Sequence, residues 1–294
     1  MSHHGSTRRQ VLKVFGGLGA LALLDCGGTG ASSSGGGSGA SGGGAGGGSA
    51  GGGVAAGGGT AAGGGAGSGS WATGGTSILS GKDYGNPFAS GIGSSCTVYK
   101  SATEGPCHAT SSLLTRRDVS EGYPGLPMRL ELLVVNASCA PVPGATVEIW
   151  MCDTLGVYSG DIDGNNDAFC TGGSAAAAAA LWGRGIQTAG SDGRVTFDAN
   201  FPGWYASRTT HIHFKVSVGA TAYLTSQLFF DDAFKASIYN SQPNYKPASG
   251  QGYVTNTNDM VVNQSGLTLA QAVCSTAQQS DGALLAWKAI TVST

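Results

Sequence analysis

The sequence has little net charge and no cluster of basic residues beside aromatic ones. Its 15 Lys and Arg residues nearly balance 17 Asp and Glu residues, which leaves a formal net charge of −2. Long-range electrostatics therefore do not favour nucleic acid or an acidic polymer, and we predict no nucleic-acid partner. Flavin and nicotinamide motifs are also missing. The glycine-rich tract has no preceding strand and no following Lys-Ser/Thr, which excludes a phosphate-binding loop.

The N-terminal apolar run, Val14–Leu24, is too short to span a bilayer. Because it follows the pair Arg8-Arg9, it predicts an export signal of the twin-arginine type over residues 1–26. Cys26 stands where a bacterial lipoprotein would be cleaved and lipidated, although such sites prefer a small residue in place of Asp25. We expect a periplasmic or extracellular protein, with membrane contact only through a lipid on Cys26.

The stretch Gly27–Ser70 contains no charged residue and consists mostly of Gly, Ala and Ser. Such a composition cannot bury enough apolar surface to offset the entropy of ordering. We predict a disordered linker over residues 27–76 and one folded domain over residues 77–294, which is long enough for a substantial core.

Six cysteines lie within the predicted domain. An even number in an exported protein indicates disulfides, although sequence alone cannot choose the connectivity. Pairing by proximity along the chain suggests Cys96–Cys107 and Cys152–Cys170.

Short β-prone runs separated by turn residues predict an all-β domain, a β-sandwich of mainly antiparallel strands with long loops and little helix. In Ala145–Cys152, Val147, Ile149 and Met151 alternate with Glu148 and Trp150. Asp192-Gly193 is a hairpin signal. The other predicted strands are Met128–Asn136, Val195–Asp198, His211–Val218 and Tyr223–Phe230. Helix is predicted only in Ala175–Trp182, alternatively a low-complexity insertion, and Leu267–Thr276.

His211-Ile212-His213 is the first candidate for chemistry. Residues i and i+2 of a strand point to one face, so both imidazoles could bind one metal while Ile212 enters the core. Upstream, Tyr205 follows a Pro-Gly turn, and Tyr158 lies in a glycine-bounded loop after a strand, where ligands commonly occur. Each tyrosine alone is more often structural.

In combination these segments resemble the intradiol ring-cleavage dioxygenases, a family that includes catechol and protocatechuate 3,4-dioxygenases and an exported branch. The resemblance covers about residues 96–260. The motifs that carry it are Trp-x-Cys-Asp-x-x-Gly-Val-Tyr-Ser-Gly (150–160), Asp-Gly-Arg-Val-Thr-Phe (192–197), Pro-Gly-Trp-Tyr (202–205), Arg-x-x-His-Ile-His (208–213), Thr-Glu-Gly-Pro (103–106), residues 117–125 and Ser-Gln-Leu-Phe-Phe (226–230).

The resemblance implies a non-haem Fe(III) dioxygenase. Its iron ligands fall on Tyr158, Tyr205, His211 and His213, and its active-site arginine and glutamine on Arg208 and Gln227. Two phenolates and two imidazoles suit Fe(III) better than Fe(II) or zinc. Otherwise Arg208 would form a salt bridge, for instance with Asp153 or Asp161, and Gln227 a hydrogen bond at the sheet edge.

The implied substrates are a small-molecule catechol and O₂, with a cis,cis-muconate-type diacid as product and Tyr205 as an acceptor of a substrate proton. Catechol, protocatechuate, hydroxyquinol and larger lignin-derived catechols all remain open, because specificity would reside in loops such as Gly160–Arg184. A tethered binding module and an iron- or siderophore-binding protein are the competing hypotheses. The absence of the N-terminal elements through which cytoplasmic relatives pair their subunits favours a monomer.

Overall fold

The structure is a computed structural model that describes residues 69–93, 96–109, 114–162 and 166–294. The predicted export signal, Cys26 and most of the predicted linker lie outside these residues. Residues 71–76 contact the folded region: the Ala72 amide donates to the Gly282 carbonyl at 3.0 Å, and the Thr76 hydroxyl donates to Asp118 at 2.8 Å. Packing therefore begins a few residues before the predicted boundary at 77.

Within the described residues, eight strands form two sheets of four strands each. In chain order the strands are β1 (Pro127–Asn136), β2 (Thr146–Trp150), β3 (Arg184–Thr188), β4 (Arg194–Asn200), β5 (His211–Val218), β6 (Thr221–Phe229), β7 (Ser275–Gln278) and β8 (Leu284–Val292). One sheet has the order β4-β1-β8-β7 and the other β3-β2-β5-β6. All pairs are antiparallel except β1–β8, which is parallel. The predicted all-β sandwich is confirmed.

Helices are short and occur between strands. They are α1 (Asp167–Cys170), α2 (Ala175–Ala179), α3 (Asp232–Ser241), α4 (Met260–Ser265) and α5 (Leu269–Ala272), with 3₁₀ turns at Thr76–Leu79 and Asn256–Asn258. Among the described residues, no helix has the length and apolar character needed to cross a bilayer.

The core between the sheets is built from alternate residues of the strands. On β2, Val147 and Ile149 are fully buried in this core, whereas Trp150 belongs to a second cluster on the outer face of the sheet. On β5, Ile212 enters the core as predicted. Because side chains alternate across a strand, both histidines beside Ile212 are placed on the outer face.

Two local predictions were wrong. Asp192-Gly193 forms a turn, but it joins β3 to β4, which belong to different sheets, so no hairpin results. The predicted helix over Leu267–Thr276 is limited to Leu269–Ala272, because Ser275 already pairs with β8. By contrast, Ala175–Ala179 does form a helix, α2, which Ser174 caps by accepting from the Ala177 amide.

The proposed disulfide pairing is also wrong. The bonds are Cys96–Cys139 and Cys107–Cys170, with Cα–Cα distances of 5.3 and 5.5 Å. Cys152 and Cys274 are free and buried. Proximity along the chain fails because each bond joins two loops that only the fold brings together.

Candidate metal centre and active site

The second sheet, β3-β2-β5-β6, carries a row of four residues across its outer face, one from each strand. Arg184 of β3 is paired with Trp150 of β2, Trp150 with His213 of β5, and His213 with Gln227 of β6. Directly opposed residues share a face, so this row forms the floor of the site. The Trp150 indole stacks on the His213 ring, with 4.9 Å between centroids and 8° between planes.

Tyr158 is held by a tight loop that follows β2. The Asp153 carboxylate accepts from the Leu155 and Val157 amides at 2.9 and 2.8 Å, and the Asp153 amide donates to the Val157 carbonyl. The Tyr158 amide then donates to the Cys170 carbonyl at 2.8 Å. These bonds direct the Tyr158 side chain inwards, where only 2% of it is exposed.

Tyr205 is placed by the turn that precedes β5. The Gly203 amide donates to the Asp153 carbonyl at 2.9 Å, which joins this turn to the Tyr158 loop. A Cβ at Gly203 would lie 2.2 Å from the Thr154 carbonyl oxygen, so the close approach requires glycine. The same backbone contact therefore sets the spacing of the two tyrosines.

The structure brings all four predicted ligands together around His211. Its Nε2 lies 3.3 Å from Tyr158 Oη, 3.2 Å from Tyr205 Oη and 3.0 Å from His213 Nε2. Donors bound to one metal through bonds of about 2.0–2.2 Å are separated by roughly 3 Å. The spacing therefore matches a shared ion.

The protonation of this cluster also fits a metal. His211 Nδ1 donates to the Thr209 carbonyl at 2.6 Å, which leaves the lone pair of His211 on Nε2. Tyr158 Oη, Tyr205 Oη and His213 Nε2 all face that single lone pair, which can accept a hydrogen bond from only one of them. A cation at the same place would be bound by all four side chains. His213 Nδ1 is buried, and no described residue forms a hydrogen bond with it.

Burial sets the charge of these groups before any metal binds. It lowers the pKa of both imidazoles well below the usual range, raises the pKa of Tyr205 to about 12 and raises the pKa of Tyr158 well above the usual range. Neutral imidazoles are the form that binds metals, but each phenol must release its proton to solvent when a metal ion binds. Elsewhere in the described chain, no three His, Cys, Asp or Glu side chains are grouped to hold a metal.

Arg208 and Gln227 lie together at one edge of the cluster. Arg208 Nη2 donates to Gln227 Oε1 at 2.5 Å, and Nη1 lies 3.5 Å from His211 Nε2. The Arg208 ion pair is with Asp259 at 2.9 Å, and not with Asp153 or Asp161 as the alternative prediction had it. Gln227 Nε2 donates to the Thr103 carbonyl at 3.0 Å, so this side chain is fixed at both ends.

The dioxygenase family model matches residues 103–243, which contain the four candidate ligands, Arg208 and Gln227. Residues 103–243 are a dioxygenase domain. The resemblance to the intradiol ring-cleavage family, whose members cleave catechol-type rings, is thereby confirmed. No curated protein matches the sequence at a significant level.

Several solved structures are similar to this dioxygenase. An intradiol ring-cleavage dioxygenase from Tetranychus urticae is 24% identical with a TM-score of 0.58, and the alignment covers 67% of this chain and 95% of that one. The dioxygenase domain of a carbohydrate-binding fusion protein from Streptomyces sp. SirexAA-E is 22% identical, with a TM-score of 0.47 and coverages of 67% and 99%. Catechol 1,2-dioxygenase from Pseudomonas arvilla C-1 is 18% identical, with a TM-score of 0.45 and coverages of 66% and 61%.

Two loops of the dioxygenase cover this cluster. Gly105 lies against the His213 ring, where an added Cβ would be 3.1 Å from Cε1. The Cys107–Cys170 disulfide joins that loop to α1, whose Phe169 approaches the Tyr205 ring edge-on at 5.9 Å. Phe169 is 61% exposed, so it places an aromatic side chain at the outer side of the candidate site.

Sequence reasoning missed several residues that build this site. Asp259 lies in a segment without a recognisable motif, and nothing in its neighbours' residue types signals a role. Phe169 and Arg184 both lie in the loop Gly160–Arg184, which was expected to determine specificity, but neither residue was singled out. The Arg184 guanidinium donates to the Ser159 and Cys107 carbonyls at 2.9 and 2.7 Å, which joins both covering loops to the sheet.

Gly156 provides a test of how the two tyrosines are spaced. At Gly156 (φ +84°), a Cβ would lie 2.3 Å from the Trp204 carbonyl oxygen. We expect Gly156→Ala to separate the Tyr158 loop from the Tyr205 turn. Ferric-ion affinity should fall by about 10-fold or more, which is the usual effect of losing a contact that orients a metal ligand. Iron titration of the purified variant measures this.

Gly144→Ala is the matched control, because Gly144 has a similar φ of +74° and open space around it. Both variants should lose about 1 kcal/mol of stability from the left-handed backbone. Equal iron affinities in the two variants would show that the Gly156 contact does not position the ligands.

Proposed function

We propose that this dioxygenase holds one ferric ion through Tyr158, Tyr205, His211 and His213 and cleaves a catechol between its two hydroxylated carbons. The proposal rests on the distances of 3.0–3.3 Å from His211 Nε2 to both phenol oxygens and to His213 Nε2. These distances match the separation of about 3 Å between donor atoms that bind one metal. Two phenolates and two neutral imidazoles are hard donors that suit Fe(III). The bound ion would supply a Lewis acid that withdraws electron density from the catecholate ring and opens it to O₂.

The four ligands differ in exposure, which divides their roles. Tyr158 is almost fully buried, whereas Tyr205 is half-buried beside the exposed Phe169. Tyr205 Oη therefore lies on the side that an incoming catechol can reach. We assign Tyr205 Oη the role of accepting one catechol proton.

Arg208 and Gln227 are assigned to the substrate. A guanidinium stays protonated and offers fixed donors, so Arg208 would stabilise negative charge that develops on the ring and the reacting oxygens. Gln227 would orient the same groups, since Arg208 and the Thr103 carbonyl fix its amide. Both atoms of O₂ enter the product diacid, so the reaction needs no external reductant.

Oxygen uptake with a panel of catechols tests this proposal. We expect one O₂ consumed per catechol, with a product heavier than the substrate by both oxygen atoms. A protein that binds catechol and iron but returns the ring intact would be a binding protein. Labelling with ¹⁸O₂ and mass spectrometry separate these outcomes.

We further propose that the enzyme is exported and acts as a monomer. The Arg8-Arg9 pair before a short apolar run supports export, as do two disulfides, which persist in oxidising compartments. Fractionation of the native cells and light scattering of the purified protein test the two statements separately.

A further inference from the structure

A buried polar cluster lies directly behind Arg208 and His211. Its central residue, Asp259, is 0% exposed and precedes α4. Burying a carboxylate is costly unless its oxygens accept hydrogen bonds. Asp259 accepts four, and the two oxygens serve different parts of the molecule.

One oxygen of Asp259 caps a helix. Oδ1 accepts from the amides of Val261 and Val262 at 2.9 and 3.1 Å, which is the ordinary role of an aspartate at a helix N-terminus. Oδ2 is not used by the helix. It accepts from Arg208 Nε at 2.9 Å and from the Thr209 amide at 2.8 Å.

The first of these contacts sets the direction of the Arg208 side chain. With Nε held by Asp259, Nη2 reaches Gln227 and Nη1 faces His211. A guanidinium is planar, so fixing one edge on a buried carboxylate fixes the direction of the opposite edge. Arg208 itself is largely buried, with 12% of the side chain exposed.

The second contact sets the His211 ring. The Thr209 amide is held by Asp259, and the Thr209 carbonyl accepts from His211 Nδ1 at 2.6 Å. Lys235, also 0% exposed, donates from Nζ to the Thr209 hydroxyl at 2.5 Å and to Asn256 Oδ1 at 2.8 Å. Backbone and side chain of Thr209 are therefore both fixed, and His211 is kept as the Nδ1–H tautomer that presents its lone pair at Nε2.

We propose that Asp259 is a positioning residue that acts through Arg208 and Thr209, setting the guanidinium over the reacting groups and the tautomer of His211. Asp259 lies outside residues 103–243, which the family model covers. The proposal rests on the proposed function for its kinetic consequence, whereas its consequence for the His211 tautomer does not depend on that function.

Replacement of Asp259 by Ser separates positioning from capping. Serine is a good helix cap, so it keeps the bonds to α4, but it lacks the second oxygen that reaches Arg208 and Thr209. Asp231→Ser is the matched control, because Asp231 caps α3 in the same way by accepting from the Phe234 amide at 2.9 Å. Where the serine variant does not fold, Asp259→Asn keeps the side-chain volume and gives the same test.

We expect Asp259→Ser to lower kcat by about 100-fold, in the range seen when a preorganised charge-stabilising donor is lost, while KM changes much less. Asp231→Ser should leave both unchanged. In the double variant with Arg208→Gln, kcat should fall by less than the product of the two single effects, because both changes remove the Arg208–Asp259 contact, and the further loss relative to Arg208→Gln alone measures the Thr209 contact. Effects that multiply, or a kcat equal to that of Asp231→Ser, would overturn the positioning role.

Imidazole ¹⁵N NMR of the iron-free protein provides a readout independent of activity. The wild type should show His211 as the Nδ1–H tautomer, and Asp259→Ser should show a mixture of tautomers. An unchanged tautomer in the variant would overturn the Thr209 part of the proposal. If the tautomer shifts while the wild type cleaves no catechol, the proposed function fails and the positioning of His211 stands.

Discussion

Tyr158→Phe is expected to lower ferric-ion affinity by at least about 100-fold, the upper end of what outer-shell changes cost, and to abolish ring cleavage. Tyr158 Oη lies 3.3 Å from His211 Nε2, and only 2% of the residue is exposed, so solvent has little access to the position that the phenol oxygen would leave. The substitution removes only the oxygen and keeps the packing of the ring. Iron titration followed by visible spectroscopy measures the loss.

Tyr245→Phe is the matched control for that prediction. Tyr245 is also buried, but its hydroxyl donates to the Phe201 carbonyl at 2.7 Å and accepts from the Leu126 amide at 3.1 Å, and neither partner is one of the four candidate ligands. We expect a loss of about 2 kcal/mol of stability, the net value of two hydrogen bonds, and no change in iron affinity. If Tyr158→Phe binds iron as tightly as this control does, Tyr158 is not a ligand.

Replacing Cys107 and Cys170 together by alanine is expected to cost about 4 kcal/mol of stability, because the bond closes a loop with a sequence separation of 63 residues. The variant should also lose about 10- to 100-fold in iron affinity, as outer-shell changes do. Gly105 lies against His213 on one side of this bond, and the Cys170 carbonyl accepts from the Tyr158 amide on the other.

The second disulfide, Cys96–Cys139, is the control for that effect. It closes a loop with a sequence separation of 43 residues, so its removal should also cost about 4 kcal/mol. Cys96 packs with Phe88 and with Leu133 of β1, which belongs to the sheet β4-β1-β8-β7. The candidate histidine ligands lie on the other sheet. Chemical denaturation and iron titration of both double variants are the measurements, and equal losses of iron affinity would contradict a specific role for Cys107–Cys170.

The sandwich and its site could be predicted from the sequence where the signal is local. Alternation in Thr146–Trp150 places Trp150 opposite the core residues, and the spacing of His211 and His213 places both on one face. The pairing of strands could not be predicted in this way. Asp192-Gly193 has the residues of a hairpin, yet whether the chain returns to the same sheet depends on which partner each strand finds.

The residues around the ligands were harder to predict for the same reason. Tyr158 and Tyr205 were found through motifs, whereas Asp259, 51 positions after Arg208, carries no local signal. The disulfides were paired wrongly because Cys107 and Cys170 meet only when two loops fold over the sheet. A contact between distant loops depends on the complete packing, which no short window of sequence contains.

The location of the site follows from the different roles of the two faces of the sheet β3-β2-β5-β6. One face of β5 is filled by Ile212 and Phe214, which pack into the core. The other face carries His211 and His213 beneath loops that bring the tyrosines. Strands give the imidazoles a rigid base, while loops supply ligands and substrate contacts that can differ among enzymes with this fold.

Reconstitution of the purified protein with ferric ion tests the central claim most directly. Binding of one ion by both phenolates and both imidazoles should produce a red-brown protein with one iron per chain and a tyrosinate-to-iron charge-transfer band. That band should weaken in Tyr205→Phe and be lost with the iron in Tyr158→Phe. A colourless wild-type protein that retains no iron after reconstitution would contradict the account.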